Sequence, residues 1–372
     1  MDPQTVFCPN SACPASGQSG KGNIHIHSHK EQRYVCDVCG GTFAATKGTI
    51  FYRRRLPRDM IVTMITLLAH GCPRQAIVAA YKVDERTVKG LEESAGEHCQ
   101  QVHEQLVEQS RDLGQVQGDE IRAKVQGGIL WMAMAIQVQS RLWLGGVLST
   151  ARDMHLIVRL IQKVRHCALC RALLFCVDGC VSYVGAIQRV FREPIRNGKL
   201  GRPRLRPWDG VHIAQVVKQY ARKRVVGVRR RVVQGTRVQV EALLQETQGG
   251  GLINTAYIER LNATFRSRIT ALVRRGRALA RQLHTLHAAM YLVGTVYNFC
   301  TYHQSLRVPL YLPCGRRRWL RRTPAVAAGI TDHRWTVQEL LSYRVPPPRW
   351  RPPKRRGRPS IAMKALVAQW CS

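Results

Sequence analysis

Three isolated acidic residues combine a side-chain type and a setting that suit the binding of divalent metal ions. Asp119 lies within a segment rich in apolar residues, Asp178 ends a second apolar segment, and Glu259 lies at the head of an arginine-rich segment with helical spacing. Magnesium prefers oxygen ligands, and two divalent ions can activate the attacking oxygen and stabilise the leaving oxygen in a phosphoryl displacement. The three carboxylates are therefore predicted to be catalytic metal ligands.

The neighbouring acid, Glu120, is expected to have a different role. Successive side chains of a β-strand point to opposite faces of the sheet, so Glu120 is predicted to point away from the face that carries Asp119. A structural role is favoured for Glu120, and a share in metal binding stays open as the alternative.

Four cysteines near the N-terminus have the spacing of a structural zinc site. They form two pairs, Cys8-x4-Cys13 and Cys36-x2-Cys39, which are separated by 22 residues. Four thiolates can close a tetrahedral Zn²⁺ site, and a region with so few apolar residues needs a cross-link of this kind. The three alternating histidines of residues 25–29 are predicted to face one side of a strand without binding zinc.

A second group of cysteines is interpreted differently. Cys167, Cys170, Cys176 and Cys180 could form another metal site, but their apolar setting favours buried free thiols. The N-terminus has no pattern of a secretory signal peptide, so the 13 cysteines are expected to be reduced thiols or metal ligands rather than disulfides.

The charge of the chain indicates a polyanionic partner. There are 58 Lys and Arg against 23 Asp and Glu, which gives a formal net charge of +35. Arginine dominates, and its planar guanidinium binds phosphate through two hydrogen bonds at once. The apolar runs are shorter than the ~20 residues of a membrane span. We therefore expect double-stranded DNA as the partner, with no membrane association and no small-molecule substrate.

Residues 53–92 have the pattern of a helix-turn-helix unit. An apolar stripe that begins after Pro57 predicts a first helix, residues 74–81 predict a second, and Asp84 is a suitable N-cap for a third. The third helix carries three predicted DNA-binding residues, Arg86, Thr87 and Lys89. An ordinary helical hairpin is the alternative.

Residues 115–305 have the pattern of an α/β core. Three successive strands are predicted at residues 115–125, 129–139 and 141–149, followed by a helix at 153–164 and a buried strand at 172–177. A further strand at 224–233 and a helix at 236–245 follow. The predicted fold is an RNase H-like mixed sheet with flanking helices, because this order of three antiparallel strands, a helix and a strand that ends in aspartate is typical of that fold.

The helix that carries Glu259 is predicted to bind DNA along one face. Its apolar stripe comprises Ile258, Leu261, Phe265, Ile269 and Leu272. Arg266 shares the face of Glu259, as do Arg274, Arg277 and Arg281 if the helix continues through Gly276, and these side chains could contact phosphates. The alternative is a solvated charged face.

Two short basic segments resemble AT-hook cores. One contains Arg202 and Arg204 in Gly201-Arg202-Pro203-Arg204, and the other contains Arg356 and Arg358 in Arg356-Gly357-Arg358-Pro359. An extended segment of this composition can lie in a narrow minor groove. The alternative for the second segment is a non-specific basic tail.

The predicted organisation has five parts. They are a zinc ribbon (1–52), a helix-turn-helix domain (53–92), a linker helix (93–114), a catalytic core with an insertion near 190–250 (115–305), and a basic Pro/Arg-rich C-terminal extension (306–372).

The motifs resemble those of a known family. The segment Gln32-Arg33-Tyr34-Val35-Cys36-Asp37-Val38-Cys39-Gly40-Gly41-Thr42-Phe43 resembles the zinc ribbon of insertion-sequence transposases with an InsA-like N-terminal part. The Asp119-Glu120 strand, the Val177-Asp178-Gly179 turn and Tyr257-Ile258-Glu259-Arg260-Leu261-Asn262 resemble the DDE motifs of the InsB-like partner. The resemblance covers roughly residues 8–305.

This resemblance implies a DDE transposase in one continuous chain. The ribbon and the helix-turn-helix would recognise element ends, and Asp119, Asp178 and Glu259 would bind catalytic Mg²⁺ or Mn²⁺. The enzyme would cleave the phosphodiester at the ends and join the freed 3′-hydroxyl to target DNA, as a homodimer or higher oligomer in the bacterial cytoplasm, associated with the nucleoid.

Two departures from the family pattern are visible. About 80 residues separate Asp178 from Glu259, more than in compact members, which implies a strand-rich insertion, and the C-terminal extension lies outside the matched motifs. Two alternative functions stay open. One is a nuclease or resolvase with the same fold, and the other is a DNA-binding regulator that uses only the ribbon and the helix-turn-helix.

Overall fold

Contacts along the chain define two compact units in the computed structural model, which describes residues 1–125, 128–195, 198, 201–222, 224–273, 282–311, 317–353 and 357–371. The first unit comprises Met1–Arg58 and Leu341–Ser372, and the second comprises Asp59–Leu340. The strands in the described residues are β1 (Ile24–Ser28), β2 (Arg33–Cys36), β3 (Thr42–Ala44), β4 (Gln115–Val125), β5 (Gly128–Gln137), β6 (Trp143–Ser149), β7 (Leu173–Asp178), β8 (Arg192–Ile195), β9 (Arg204–Pro207), β10 (Val211–Ala221), β11 (Arg224–Gln234), β12 (His303–Tyr311) and β13 (Arg317–Arg322). The helices are α1 (Arg58–Ala69), α2 (Arg74–Tyr81), α3 (Glu85–Leu106), α4 (Met154–Cys167), α5 (Val181–Val190), α6 (Arg237–Gln248), α7 (Ala256–Arg268), α8 (Leu283–Cys300), α9 (Pro324–Ala327), α10 (Val337–Ser342) and α11 (Ile361–Trp370).

The first unit is built on a small antiparallel sheet of β1, β2 and β3. Its core contains the cysteines of this region together with Tyr34 and Phe43, and the C-terminal helix contributes Trp370 and the partly buried Leu366. The amide of Gln18 also donates a hydrogen bond to the carbonyl of Trp370 (2.9 Å). Apolar side chains of α11 thus bring the end of the chain into the N-terminal unit, whereas the sequence suggests a separate extension over residues 306–372.

The second unit contains a six-stranded mixed sheet in the order β11-β10-β7-β4-β5-β6. Strands β4, β7 and β10 run parallel to one another, and the other neighbouring pairs are antiparallel. Helices flank the sheet, so the α/β class with a mixed sheet is confirmed. The predicted strand 115–125 coincides with β4, while α5 and β10 were not individually predicted.

Helices α1 to α3 precede the first strand of the six-stranded sheet in the chain. The side chain of Asp84 accepts a hydrogen bond from the backbone of Arg86 and caps α3, as the sequence predicts. Helix α3 continues to Leu106, so the predicted third helix and the predicted linker helix 93–114 are largely one element. It packs closely on α8, because a Cβ atom added at Gly96 would lie 2.4 Å from the Cα of Ala288. The reason is that apolar residues recur at helical spacing across the expected boundary, which makes this segment part of the core.

The helix that carries Glu259 is shorter than the apolar stripe suggests. Helix α7 ends at Arg268, and the backbone of Ile269 is extended. Ile269 and Leu272 are nevertheless buried, in the turn that follows. The prediction that one helix contains the whole stripe is therefore wrong, because apolar residues can be buried from a turn as well as from a helix.

No helix in the described residues is long and apolar enough to cross a membrane.

Candidate active site and metal centre

Strand β4 fixes the start of helix α7. The side-chain oxygen of Gln117 accepts hydrogen bonds from the backbone N–H groups of Tyr257 and Ile258, both at 3.1 Å. The first N–H groups of a helix have no partner within the helix, so these two bonds cap α7. The amide nitrogen of Gln117 donates to the carbonyl of Asn254 (2.7 Å). These contacts hold the Glu259 helix against the sheet at the level of Asp119.

Asp119 is tied to the same helix by its own side chain. Asn262 donates a hydrogen bond to Asp119 Oδ2 (2.7 Å), and the backbone N–H of Glu120 donates to Asp119 Oδ1 (2.8 Å). Asn262 lies about one helical turn beyond Glu259, so the two residues share one side of α7.

Asp178 lies at the end of β7. Its Oδ1 accepts a hydrogen bond from the backbone of Cys180 (3.0 Å), which shapes the turn into α5. The amide of Gln215 on β10 donates to the carbonyl of Asp178 (3.1 Å). Because β4 and β7 are neighbouring parallel strands, Asp178 lies at the sheet end where β4 carries Asp119.

Glu120 also belongs to this acidic group, although the sequence favours a structural role for it and leaves a share in metal binding as the alternative. The carboxylates of Asp119, Glu120 and Asp178 offer oxygens within 4.8 Å of one another and could hold a metal ion. Asp119 contacts α7 whereas Glu120 is bound by Arg152 (2.9 Å), so the two residues do point to different faces. Both carboxylates nevertheless lie beside Asp178, the last residue of β7.

Arg152 bridges two of the acids. Its guanidinium lies 2.9 Å from Glu120 and 3.8 Å from Asp178. Burial raises the pKa of Glu120, and the charge of Arg152 opposes that change. The buried hydroxyl of Tyr183 also lies against this carboxylate and acts to lower the pKa of Glu120.

Glu259 approaches the group from α7 and has its own partners. Lys218 of β10 donates to its carboxylate at 2.7 Å, and the hydroxyl of Thr255 donates at 3.0 Å. Partial burial acts to raise the pKa of Glu259, but these two hydrogen bonds outweigh it, so the pKa is lowered. Glu259 is therefore an ionised carboxylate held beside the sheet end and about half exposed.

The electrostatics of Asp119 reflect the crowding of these acids. Burial raises its pKa from 3.8 to about 6, and the negative charges of Glu120, Asp178 and Glu259 act in the same direction. Three carboxylates from β4 and β7 thus offer oxygens within 4.8 Å of one another, with Glu259 of α7 outside that group but nearby, and hard oxygen ligands of this kind suit Mg²⁺ or Mn²⁺.

Tyr183 of α5 is a further residue of this edge. Its side chain is fully buried, and a Cβ atom added at Gly118 would lie 3.1 Å from its ring. Burial raises the pKa of Tyr183, and the neighbouring carboxylates raise it further. Because Gly118 has no Cβ atom, it leaves room for this ring next to β4.

The four N-terminal cysteines converge as a second candidate metal site. The sulfurs of Cys8 and Cys39 are 3.7 Å apart, those of Cys13 and Cys36 are 3.9 Å apart, and all four lie within 4.8 Å of one another. Tetrahedral bonds of ~2.3 Å to zinc would separate the sulfurs by ~3.8 Å, so the spacing fits this ion. Burial raises the pKa of Cys13 to about 11, and a cation would favour the thiolate instead.

The other cysteines do not form a third group in the described part of the chain. Cys167 and Cys176 are buried, and burial raises the pKa of each to about 12. Cys176 accepts a hydrogen bond from Gln115 (3.2 Å). Both have the character of core thiols, as the sequence suggests, whereas the prediction of burial is wrong for Cys170, which is exposed, and Cys180 is only partly buried. His25, one of the three histidines predicted not to bind zinc, lies 2.7 Å from the carboxylate of Asp37.

The predicted DNA-binding residues occupy several different surfaces. Arg86 and Thr87 are exposed on the first turn of α3, and Lys89 is half-buried and donates to Gln282 (2.9 Å). Arg266 is half-buried on α7. The remaining predicted residues in the described part of the chain are exposed, namely Arg202, Arg204 and Arg358.

One of the predicted DNA-binding residues lies in a strand, and four others lie outside the described part of the chain. Arg204 belongs to strand β9, which pairs with β8, so the first AT-hook-like segment is partly a hairpin rather than a free extended segment. The four outside the described residues are Arg274, Arg277, Arg281 and Arg356.

Sequence reasoning missed several residues of the acidic edge. Arg152 and Lys218 carry no local signal, since each reaches its acid from an element distant in sequence. Asn262 does carry a signal, because it follows Glu259 by three residues and therefore shares its side of a helix.

No family model matches the chain, and a search of curated proteins found no significant match.

Proposed function

We propose that this chain is a DDE-type DNA transposase, which cleaves the phosphodiester at element ends and transfers the freed 3′-hydroxyl to target DNA. The observation that carries the proposal is the convergence of Asp119, Glu120 and Asp178 at one end of the six-stranded sheet, with Glu259 close enough for its charge to raise the pKa of Asp119. Acidic residues are scarce in a chain with a net charge of +35, so their clustering at one site supports a specific function there.

The sheet supports an RNase H-like interpretation of the core. Three antiparallel strands (β6, β5 and β4) are followed across the sheet by two strands parallel to β4 (β7 and β10). The acids lie on the central strands β4 and β7 and on the helix that packs against β4. The same arrangement would serve a nuclease or resolvase, so joining of DNA strands is the property that separates these functions.

The acids are the residues that would hold the catalytic cations. Two divalent ions bound here would supply activation of the attacking oxygen and stabilisation of the leaving oxygen. Asn262 orients Asp119, while Arg152 and Lys218 fix Glu120 and Glu259 and carry positive charge to the edge that a phosphate would approach. Water and then the 3′-hydroxyl would be the nucleophiles, without a covalent protein intermediate.

The cysteine cluster supports a separate structural role for zinc. Cys8, Cys13, Cys36 and Cys39 would hold Zn²⁺ and thereby cross-link the small sheet of the first unit. We propose that this unit and the helices α1 to α3 recognise element ends, and that two or more copies of the chain act together.

The proposal is tested with Glu259→Gln, which keeps the size of the side chain and removes its charge. The exposed Glu246 of α6 offers a control, Glu246→Gln, in the same unit and with the same change in charge. Each protein is incubated with Mg²⁺ and duplexes that carry the repeats flanking its gene. We expect loss of cleavage and joining of at least about 100-fold in Glu259→Gln, with unchanged DNA binding, and full activity in the control.

Three outcomes would contradict the proposal. Undiminished strand transfer by Glu259→Gln would exclude the proposed mechanism. Cleavage without joining by the unmodified protein would indicate the nuclease or resolvase, and DNA binding without any metal-dependent cleavage would indicate the regulator.

A further inference from the structure

A two-stranded arm extends from the sheet beside the acidic edge. Strand β10 pairs with β7 only as far as Val216, which lies opposite Asp178. It then continues to Ala221, paired with β11 alone among the described strands. At a rise of about 3.3 Å per residue, these five further residues span ~17 Å. We call residues 217–222 and 224–229 the β10–β11 arm.

The arm and its base are strongly basic. Residues 210–240 contain no Asp or Glu. The arginines of β11 and of the preceding turn are exposed, namely Arg222, Arg224, Arg229, Arg230 and Arg231. Arg230 donates to the carbonyl of Ile253 (2.9 Å) and Arg231 donates to Gln215 (2.6 Å), so these two fix the base of the arm. Arg224 and Arg229 are available for an anionic partner.

The arm also exposes apolar surface that an isolated hairpin would not need. Tyr220 and Val226 are each 65% exposed, and Val225 is 50% exposed. A two-stranded ribbon by itself is at best marginally stable in water, so contact with a partner would stabilise this one. The major groove of B-DNA admits a two-stranded ribbon, and its phosphates complement the arginines.

The base of the arm touches the acidic edge. Lys218, two residues beyond the last β7 pairing, donates to Glu259 at 2.7 Å. A duplex that follows the arm toward the sheet would therefore bring its backbone to the carboxylates. We infer that the β10–β11 arm binds the phosphate backbone of duplex DNA and guides it to the acidic edge. This inference rests on the proposed function for the fate of the DNA, but the binding itself can be measured independently.

The inference is tested with the double variant Arg224→Ala, Arg229→Ala of the full-length, zinc-loaded protein. The control Arg171→Ala, Arg237→Ala removes two exposed arginines that are paired with Asp112 and Glu241. Binding to a random-sequence duplex is measured by fluorescence anisotropy in EDTA-free buffer with Ca²⁺ over a range of salt concentrations. We expect affinity to fall about tenfold in the arm variant, and the slope of log K against log salt to become shallower by about 2, since each phosphate contact contributes about 1.

A variant that keeps the two charges and a measurement of oligomeric state separate the possible causes of a loss of DNA binding. The variant Arg224→Lys, Arg229→Lys keeps the charges and is expected to retain the salt slope, which shows that loss in the alanine variant is not misfolding. Unchanged affinity and slope in the alanine variant would overturn the inference. So would unchanged DNA binding with a shift from dimer to monomer in sedimentation, because the arm would then contact a second copy of the chain.

The two proposals can fail separately. If the unmodified protein shows no Mg²⁺-dependent cleavage but the arm variant loses binding, the proposed function is wrong and the arm inference stands. If the unmodified protein cleaves and joins DNA while the arm variant binds like the unmodified protein, only the arm inference is wrong.

Discussion

At the scale of single residues, each acid of the sheet edge is positioned by a partner from another element. Asn262 orients Asp119, Arg152 binds Glu120, and Lys218 binds Glu259. These partners matter because a metal ligand must be held in one orientation to bind well. Residues that orient ligands in this way commonly contribute about 10–100-fold to metal affinity or activity.

The Asn262→Ala variant tests the orienting role. Loss of the 2.7 Å hydrogen bond frees the Asp119 carboxylate, so we expect cleavage to fall about 10–100-fold and the Mg²⁺ concentration for half-maximal activity to rise. A Mg²⁺ titration of cleavage measures both. Saturating Mg²⁺ should restore part of the activity, and a fall in activity with an unchanged Mg²⁺ requirement would show that Asn262 acts only in folding.

At the scale of elements, helices bring distant parts of the chain into each unit. In the first unit α11 places Trp370 against the cysteine-containing core. In the second unit α3 and α8 approach closely at Gly96. Both contacts connect segments far apart in sequence, so each is a point where a single substitution should affect a whole unit.

Trp370→Ala should destabilise the first unit. The side chain is only 6% exposed, and removal of a buried tryptophan side chain typically costs about 3–5 kcal/mol. Denaturant unfolding and the rate of zinc release to a chelator measure the effect, and release is expected to be faster. The control Ile361→Ala changes an 88% exposed residue of the same helix and should leave both measurements unchanged. Equal behaviour of the two variants would mean that α11 does not stabilise the cysteine site.

Removal of the zinc ion proposed for the cysteine cluster should have a larger effect on the same unit. Without the proposed cation the four clustered thiols no longer cross-link the segment before β1 to the end of β2 and the turn that follows it, and small metal-bound sheets usually unfold when the metal is removed. We expect chelation to abolish the β-sheet signal of the first unit, with one zinc released per chain. Retention of that signal after complete metal removal would argue against a structural zinc site.

Two glycines of α3 make a matched pair. Gly96→Ala would force a Cβ atom to within 2.4 Å of Ala288, and overpacking of this kind typically costs about 1–3 kcal/mol. Gly90→Ala meets no atom within 4 Å and should stabilise the helix by up to about 1 kcal/mol. Thermal unfolding of both variants therefore should move in opposite directions. A decrease in stability for both would show that helix propensity does not dominate at position 90.

At the scale of the whole molecule, buried histidines make the stability of the second unit sensitive to acid. His103 lies against Trp143 and Tyr291, with ring centroids 4.7 and 5.5 Å away. Burial, followed by the charge of Lys163, lowers its pKa from 6.5 to about 3. The unfolded chain therefore binds a proton below pH 6.5 that the folded chain does not bind until about pH 3.

This difference predicts a loss of stability as the pH falls. The stabilisation is complete above pH 6.5 and decreases through the window down to about pH 3, by about 1.4 kcal/mol per pH unit for this one residue. The pKa of His303 is lowered to about 4 and acts in the same direction. Denaturant unfolding at several pH values should give a shallower slope for His103→Gln than for the unmodified protein. An identical slope would show that His103 does not contribute.

How much the sequence could predict differs between local and distant relations. Strand β4, the capped start of α3 and the four clustered cysteines follow from periodicity, a capping residue and spacing. Each of these depends on residues that are close in the chain or on the known geometry of one ion. The limits of α7 and the join between α3 and the expected linker were not predictable, because helix ends depend on what the following residues pack against.

The sequence by itself determined that Asp119 lies within one apolar segment, Asp178 ends another and Glu259 heads an arginine-rich segment, in a basic chain with two cysteine pairs. Only the tertiary structure decided that Glu120 joins them, that Lys218 and Arg152 balance their charge, and that α11 belongs with the N-terminal sheet. The physical reason is that side-chain alternation is a local property of a strand. The convergence of carboxylates depends instead on which strands are neighbours and on where each one ends.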